Sequence, residues 1–131
     1  MNDKALFYFG NAAVDHLRDS GWFVGQFVPA AQGLRHQTSV EMKWGIHKDG
    51  EKRVRPWATG HATTISVLIK GALRVTFYGE SPQTVMLQKE GDYVVFTPDA
   101  VHSWEAIGDT LVLSVRFPSV EVNQPKLPGG G

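Results

Sequence analysis

Residues 63–79 read TTISVLIKGALRVTFYG, two runs rich in β-branched and apolar residues separated by Lys70 and Gly71. In the second run, residues 73, 75 and 77 are apolar, whereas residues 74 and 76 are polar. This alternation is typical of a strand with one face in a core and the other in solvent. Because a Lys-Gly pair favours a turn, the stretch predicts two consecutive strands, Thr63–Ile69 and Leu73–Tyr78.

The rest of the chain repeats this pattern of short apolar runs divided by turn residues, and it contains 14 glycines. A single short helix is predicted at Ala12–Asp19, with Asn11 as its N-cap. Many short antiparallel strands in one domain hide their edges by closing into a barrel or a two-sheet jelly roll. The predicted class is therefore all-β with at most one short helix. The further predicted strands are Trp22–Val28, Val40–His47, Thr84–Gln88, Tyr93–Thr97, His102–Ala106 and Thr110–Phe117, the last two separated by a turn at Gly108-Asp109.

Two stretches resemble the motifs of the cupin superfamily. Residues 63–79 resemble the strand–glycine–strand part of the first cupin motif. Residues 91–104, GDYVVFTPDAVHSW, resemble the second motif, in which Gly91 opens a strand, Pro98 closes it and His102 follows. The resemblance implies a double-stranded β-helix, that is, a small RmlC-like jelly-roll barrel. We expect one cupin-like domain over residues 1–120 and a mobile C-terminal tail over residues 121–131, which is rich in proline and glycine.

The first motif is degenerate. The resemblance places its two metal-binding histidines near Pro56 and Ala58 and its glutamate at Thr64, and none of these side chains is a usual metal ligand. The histidine of the second motif, His102, is present. The resemblance therefore implies a cupin whose three-histidine, one-glutamate metal site has been lost or rebuilt.

His102 is the predicted catalytic residue. The resemblance places it inside the barrel, and Trp104 shares its strand face. An imidazole beside an indole in a partly dry pocket has its charged form disfavoured, which suits general acid or base catalysis. The alternative is a structural histidine that only forms hydrogen bonds in the core.

A rebuilt metal site is the second possibility for the histidines. A barrel could bring together His47, His61 and His102, and three imidazoles with an open position would suit zinc, iron, nickel, copper or manganese. Glu51 or Glu105 could add an oxygen ligand. The alternative is that His47 faces solvent, His61 lies in a loop and no metal is bound.

The predicted substrate-binding residues are aromatic or basic. Aromatic side chains could line a pocket for an organic ligand or simply form the core. An arginine directed into a barrel would bind a carboxylate or phosphate, whereas most arginines of small β-proteins lie on the outer face. These predicted substrate-binding residues are Trp44, Arg55, Trp57, Tyr93 and Trp104. The same two alternatives apply to Phe96, Arg53, Arg74 and Arg116.

Composition limits the partners. The 13 basic and 13 acidic residues cancel, which argues against nucleic acid and anionic membranes as partners. The absence of cysteine excludes disulfides, iron–sulfur clusters and thiol catalysis. No apolar run reaches the roughly 18 residues of a membrane span, and no secretory signal is visible. A cytoplasmic protein is expected.

The apolar segment Leu6–Phe9 predicts a homodimer in which it forms an intersubunit strand.

Two classes of function remain open from the sequence. The first is a cupin-type enzyme of the isomerase, lyase or oxygenase type, acting on a small organic molecule through a divalent metal or through His102. The second is a non-catalytic sensor or binding module that takes up a small ligand in its barrel.

Overall fold

Seven β-strands form most of the computed structural model, which describes residues 6–119 except for the side chain of Val54. All strand pairs are antiparallel. The predicted all-β jelly roll is confirmed. The strands are β1 Trp22–Val24, β2 Glu41–His47, β3 Lys52–Trp57, β4 Thr63–Tyr78, β5 Pro82–Leu87, β6 Tyr93–Phe96 and β7 His102–Phe117.

The strands β4 and β7 are each 16 residues long and pair along most of their length. The turns predicted at Lys70-Gly71 and Gly108-Asp109 are wrong, because both positions are bends inside continuous strands. The pairing register shifts twice between Leu68 and Ala72, as in a β-bulge. At the bend, the Thr110 hydroxyl donates to the carbonyl oxygen of Ala72 at 3.0 Å.

The two bent strands connect two antiparallel sheets. In the first sheet, the initial half of β4 lies between β6 and the final half of β7, followed by β2 and β1. In the second sheet, the final half of β4 lies between β5 and the initial half of β7, followed by β3. Strands that pass from one sheet to the other close the structure into a jelly roll.

The bend also changes which residues of β4 face inward. Before it, the buried positions are Thr64, Ser66 and Leu68; after it, they are Leu73 and Val75. The alternation moves from even to odd numbers because the bulge inserts one unpaired residue. The buried hydrophobic cluster consists of Leu68, Leu73, Val75, Leu87 and Val112.

Within residues 6–119, helical structure is limited to short segments. The α-helix α1 spans Ala12–Asp15, shorter than predicted, and the Asn11 side chain accepts a hydrogen bond from the backbone N–H of Ala13 at 2.8 Å. A 3₁₀ helix at Ala30–Arg35 was not predicted. No helix in the described part of the chain is long and apolar enough to cross a bilayer. The expected tail at residues 121–131 lies outside the described residues.

Candidate functional site

A cavity of about 220 Å³ lies between the inner faces of the two sheets. It is smaller than the roughly 300–1,000 Å³ typical of drug-sized ligand sites, which indicates a guest of metabolite size. Its walls are formed by inward-facing residues of the strands, together with Glu51 and Thr59, which lie outside the strands. Four of the predicted site residues line it: His47, Trp57, His102 and Trp104.

His102 is 7% exposed and lies in the aromatic part of this wall. The centre of its ring is 4.5 Å from that of Phe96, 6.0 Å from that of Phe77 and 6.5 Å from that of Trp57. Its Nδ1–H donates to the carbonyl oxygen of Ala100 at 3.0 Å. A carbonyl oxygen only accepts, so Nδ1 carries the proton and the lone pair of the neutral ring is on Nε2.

Burial lowers the pKa of His102 below its ordinary value of 6.5. The hydrogen bond to Ala100 acts in the opposite direction, and the positive charges of Arg53 and Arg116 lower the pKa further. The neutral imidazole is therefore favoured at pH 7, so that its Nε2 lone pair is free to accept a proton.

A second histidine, His47, lies elsewhere along the cavity wall. Its Nδ1 is 3.2 Å from Oε2 of Glu51, and its ring centre is 4.4 Å from that of Trp104. Partial burial acts to raise the pKa of Glu51, but hydrogen bonds from His47 and from the backbone N–H of Lys48 outweigh it and lower the pKa. Trp104, which lines the same cavity as His102, thus also packs against His47.

Three basic side chains line the cavity: Lys43, Arg53 and Arg116. Burial lowers the pKa of each, and the charge of Arg116 lowers the pKa of both Lys43 and Arg53 further. The cations therefore repel one another in a partly dry space. An arginine of this chain was expected either to point into the barrel or to lie on its outer face. Arg53 and Arg116 point into the barrel, whereas Arg55 and Arg74 are exposed.

Arg116 lies over two indole rings. Its guanidinium carbon lies 4.5 Å from the ring centre of Trp22 and 5.9 Å from that of Trp57. Its Nε is 2.6 Å from Oε2 of Glu41, which is 1% exposed. The other oxygen of Glu41 accepts a hydrogen bond from Ser119 Oγ at 2.7 Å. The ion pair with Glu41 holds the charge of Arg116 in the cavity wall.

Hydroxyl groups complete the polar wall. Ser66 Oγ and Ser114 Oγ are 3.2 Å apart on neighbouring strands. Thr64, next to Arg116 in the sheet, is 5% exposed, and its hydroxyl has no hydrogen-bond partner among the described residues. Thr64 is the position at which the resemblance places the metal-binding glutamate.

The architecture is similar to that of several solved structures. KdgF from a Halomonas species is 21% identical, with a TM-score of 0.58 over 66% of this chain and 74% of that chain. A cupin superfamily protein from Desulfitobacterium hafniense is 20% identical, with a TM-score of 0.52 over 60% and 67% of the two chains. The chain has the cupin fold.

A third similar structure is Bacillus subtilis oxalate decarboxylase, a protein with Mn(II) centres. It is 22% identical, with a TM-score of 0.56, over 65% of this cupin-fold chain and 22% of that chain. The sequence matches no protein-family model and no curated protein.

The residues of this cupin fold do not suit the three-histidine, one-glutamate metal site. The part of the chain that the structure describes holds no group of three or more histidine, aspartate or glutamate side chains able to bind a metal ion. Arg53 and Arg116 act electrostatically on His102 and would repel a divalent cation there. Of the three predicted metal ligands, His61 does not line the cavity, and its Nδ1–H donates to the carbonyl oxygen of Thr59 at 2.9 Å.

Three of the predicted substrate-binding residues lie outside the cavity. Trp44 lies between the inward positions 43 and 45 of β2, so its side chain is on the outer face. Tyr93 is 65% exposed and pairs with the outward-facing Val67. Arg55 is exposed because the pairing of β3 with β7 is irregular between Arg53 and Trp57.

Four further residues line the cavity and were not predicted from the sequence: Trp22, Lys43, Ser66 and Ser114. A signal was present in β2, where the polar residues Glu41, Lys43 and His47 recur at a spacing of two, four or six residues. That period places them on one face of a strand and indicates a polar interior. Ser66 and Ser114 carried no comparable signal, because single serines in strands are common on either face.

Proposed function

We propose that this cupin-fold protein binds a small organic molecule in its barrel cavity and acts on it by proton transfer at His102. The observation that supports this best is the hydrogen bond from His102 Nδ1 to Ala100, which leaves the lone pair on Nε2. Because the environment lowers the pKa of His102, the ring is neutral before a guest binds. Its Nε2 lone pair is therefore available to act as a general base.

The reaction type that suits this arrangement is isomerisation or elimination. Nε2 of His102 would take a proton from a carbon next to a carbonyl group, and the electron pair of the broken C–H bond would move onto the carbonyl oxygen. Arg53 or Arg116 would stabilise the negative charge on that oxygen. Return of the proton to another atom completes an isomerisation, and departure of a leaving group with its electron pair completes an elimination.

Deuterium exchange tests the proton transfer without knowledge of the natural substrate. The protein is incubated in D₂O with a panel of small keto acids and ketones, and loss of the α-proton signal is followed by ¹H NMR. We expect exchange of at least one compound to exceed the buffer rate, and His102→Gln to return it to that rate. His61→Gln, which removes a histidine outside the cavity, is the control. Exchange that His102→Gln leaves unchanged would refute the proposal, as would a complete lack of exchange.

A non-catalytic binding module is the second candidate. It is favoured by the cavity walls, in which cations and aromatic rings can hold a guest without reacting with it. In that case a ligand that co-purifies with the protein would be recovered chemically unchanged after long incubation, and His102→Gln would retain binding. Mass spectrometry of the ligand before and after incubation distinguishes the two candidates.

We also propose that the protein is a homodimer. The segment Leu6–Phe9 has large exposed apolar side chains, with Leu6 at 92% and Phe9 at 89% exposure, and it is not a strand within this chain. Further apolar side chains are exposed on the outer face of the first sheet, including Ile46 and Val95. Light scattering should give the mass of two chains, and a monomeric mass would refute this proposal. The cytoplasmic location stays a prediction from the sequence.

A further inference from the structure

The basic side chains of the cavity indicate the chemical class of its ligand. We propose that the cavity takes a small organic carboxylate, whose anionic group is held by Lys43, Arg53 and Arg116 while its organic part packs on the aromatic wall. The inference rests on the proposed function, because it assigns the ligand of the same cavity.

Among residues 6–119, the positive charges around the cavity exceed the negative ones. Lys43, Arg53 and Arg116 face two nearby carboxylates, Glu41 and Glu51. Glu41 lies beneath Arg116, where Ser119 also binds it, and Glu51 is paired with His47 with 47% of its side chain exposed. Neither carboxylate is paired with Lys43.

Lys43 is a partly buried cation in the cavity wall. Its Nζ lies 5.6 Å from the ring centre of Trp22, and it forms no ion pair or hydrogen bond with any residue that the structure describes. Burial and the charges of Arg116 and Arg53 lower its pKa, and the negative charge of Glu51 offsets them only in part. A bound anion would relieve this repulsion and supply the missing partner, so the arrangement favours an anionic guest.

The Arg116 guanidinium suits a carboxylate, and the apolar wall of the cavity suits an organic one. The guanidinium lies over the rings of Trp22 and Trp57, and Glu41 contacts its Nε. The two terminal nitrogens have no hydrogen-bond partner among residues 6–119 and lie in the same plane. A planar carboxylate can accept from both of them at once. Apolar wall residues, including Val75 and Phe96, suit the organic part.

The test compares charged and neutral probes of the same shape. Acetate with acetamide, benzoate with benzamide, and inorganic phosphate are titrated in Tris buffer by calorimetry, and the indole N–H signals are followed by NMR. We expect at least one carboxylate to bind about tenfold or more tightly than its amide, the effect of one charge-assisted hydrogen bond. Lys43→Met should remove most of this difference. Arg74→Met, which removes an exposed arginine on the outer face, should retain it.

Three other results of these titrations would overturn the carboxylate assignment. Amides that bind as tightly as their carboxylates would overturn the carboxylate assignment but leave the proposed function standing. Phosphate that binds more tightly than every carboxylate would also overturn it. If no probe bound or shifted an indole signal at millimolar concentration, both the assignment and the proposed ligand cavity would be overturned.

Discussion

The Nε atom of Arg116 lies 2.6 Å from Oε2 of Glu41, and the two residues are direct partners on β7 and β2. Their side chains are 14% and 1% exposed. The pair places a fixed guanidinium in the cavity wall and keeps the buried carboxylate from being an isolated charge. The same contact therefore serves both stability and the proposed binding of an anion.

Glu41→Gln should strongly destabilise the protein. The amide leaves the buried Arg116 without its counter-charge, and breaking a buried pair from one side costs about 3–5 kcal/mol. Urea denaturation measures the loss. The matched control is Glu105→Gln, which breaks the exposed pair with Arg74 and should cost no more than about 1 kcal/mol. Equal effects of the two variants would contradict the role given to Glu41.

Gly71→Ala should disturb the bend that joins the two sheets. Gly71 has φ +85°, and an added Cβ would collide with the carbonyl oxygen of Asp109 and lie 2.6 Å from Thr110 Oγ1. We expect a loss of about 2–5 kcal/mol in the free energy of unfolding. Gly50→Ala is the control, because Gly50 has φ +86° but nothing within 4 Å of an added Cβ. It should lose only about 1–2 kcal/mol, and a larger loss than for Gly71→Ala would refute this interpretation.

The lowered pKa of His102 should make stability depend on pH in the acidic range. Below the ordinary pKa of 6.5, the unfolded chain binds a proton that folded His102 resists. The free energy of unfolding should therefore fall as the pH decreases from about 6.5 toward the pKa of the folded state, and His102 should contribute no pH dependence above that range. Urea denaturation between pH 5 and 8 should show a flatter profile for His102→Gln. An NMR titration that gives His102 a pKa at or above 6.5 would contradict the prediction.

Lys43→Met should not destabilise the ligand-free protein. The substitution keeps most of the apolar side chain and removes a charge that burial, Arg116 and Arg53 all disfavour. We expect an unchanged or higher free energy of unfolding, as is common when a binding residue is replaced by a residue that fits the fold better. Thermal and urea denaturation check this. A loss greater than about 1 kcal/mol, more than an exposed pair such as that of Arg74 contributes, would instead make Lys43 a structural residue.

The interior of the barrel could be predicted where local alternation was regular. The pattern at residues 73–77 correctly placed Leu73 and Val75 inside. The bends at Gly71 and Gly108 could not be distinguished from turns, because a positive-φ glycine serves equally well in either. Whether Lys70-Gly71 ends a strand depends on β7, which continues alongside and supplies partners on both sides of the bend.

By itself, the amino-acid sequence determined the all-β class, because this depends on residue type and on spacing along single segments, and it predicted His102 as a site residue. Only the tertiary structure decided that Lys43, Arg53 and Arg116 share one cavity with His102, and that Trp44 and Tyr93 do not. Those cations come from three different strands. Their proximity is set by strand pairing and by the bends of β4 and β7, which no short stretch of sequence encodes.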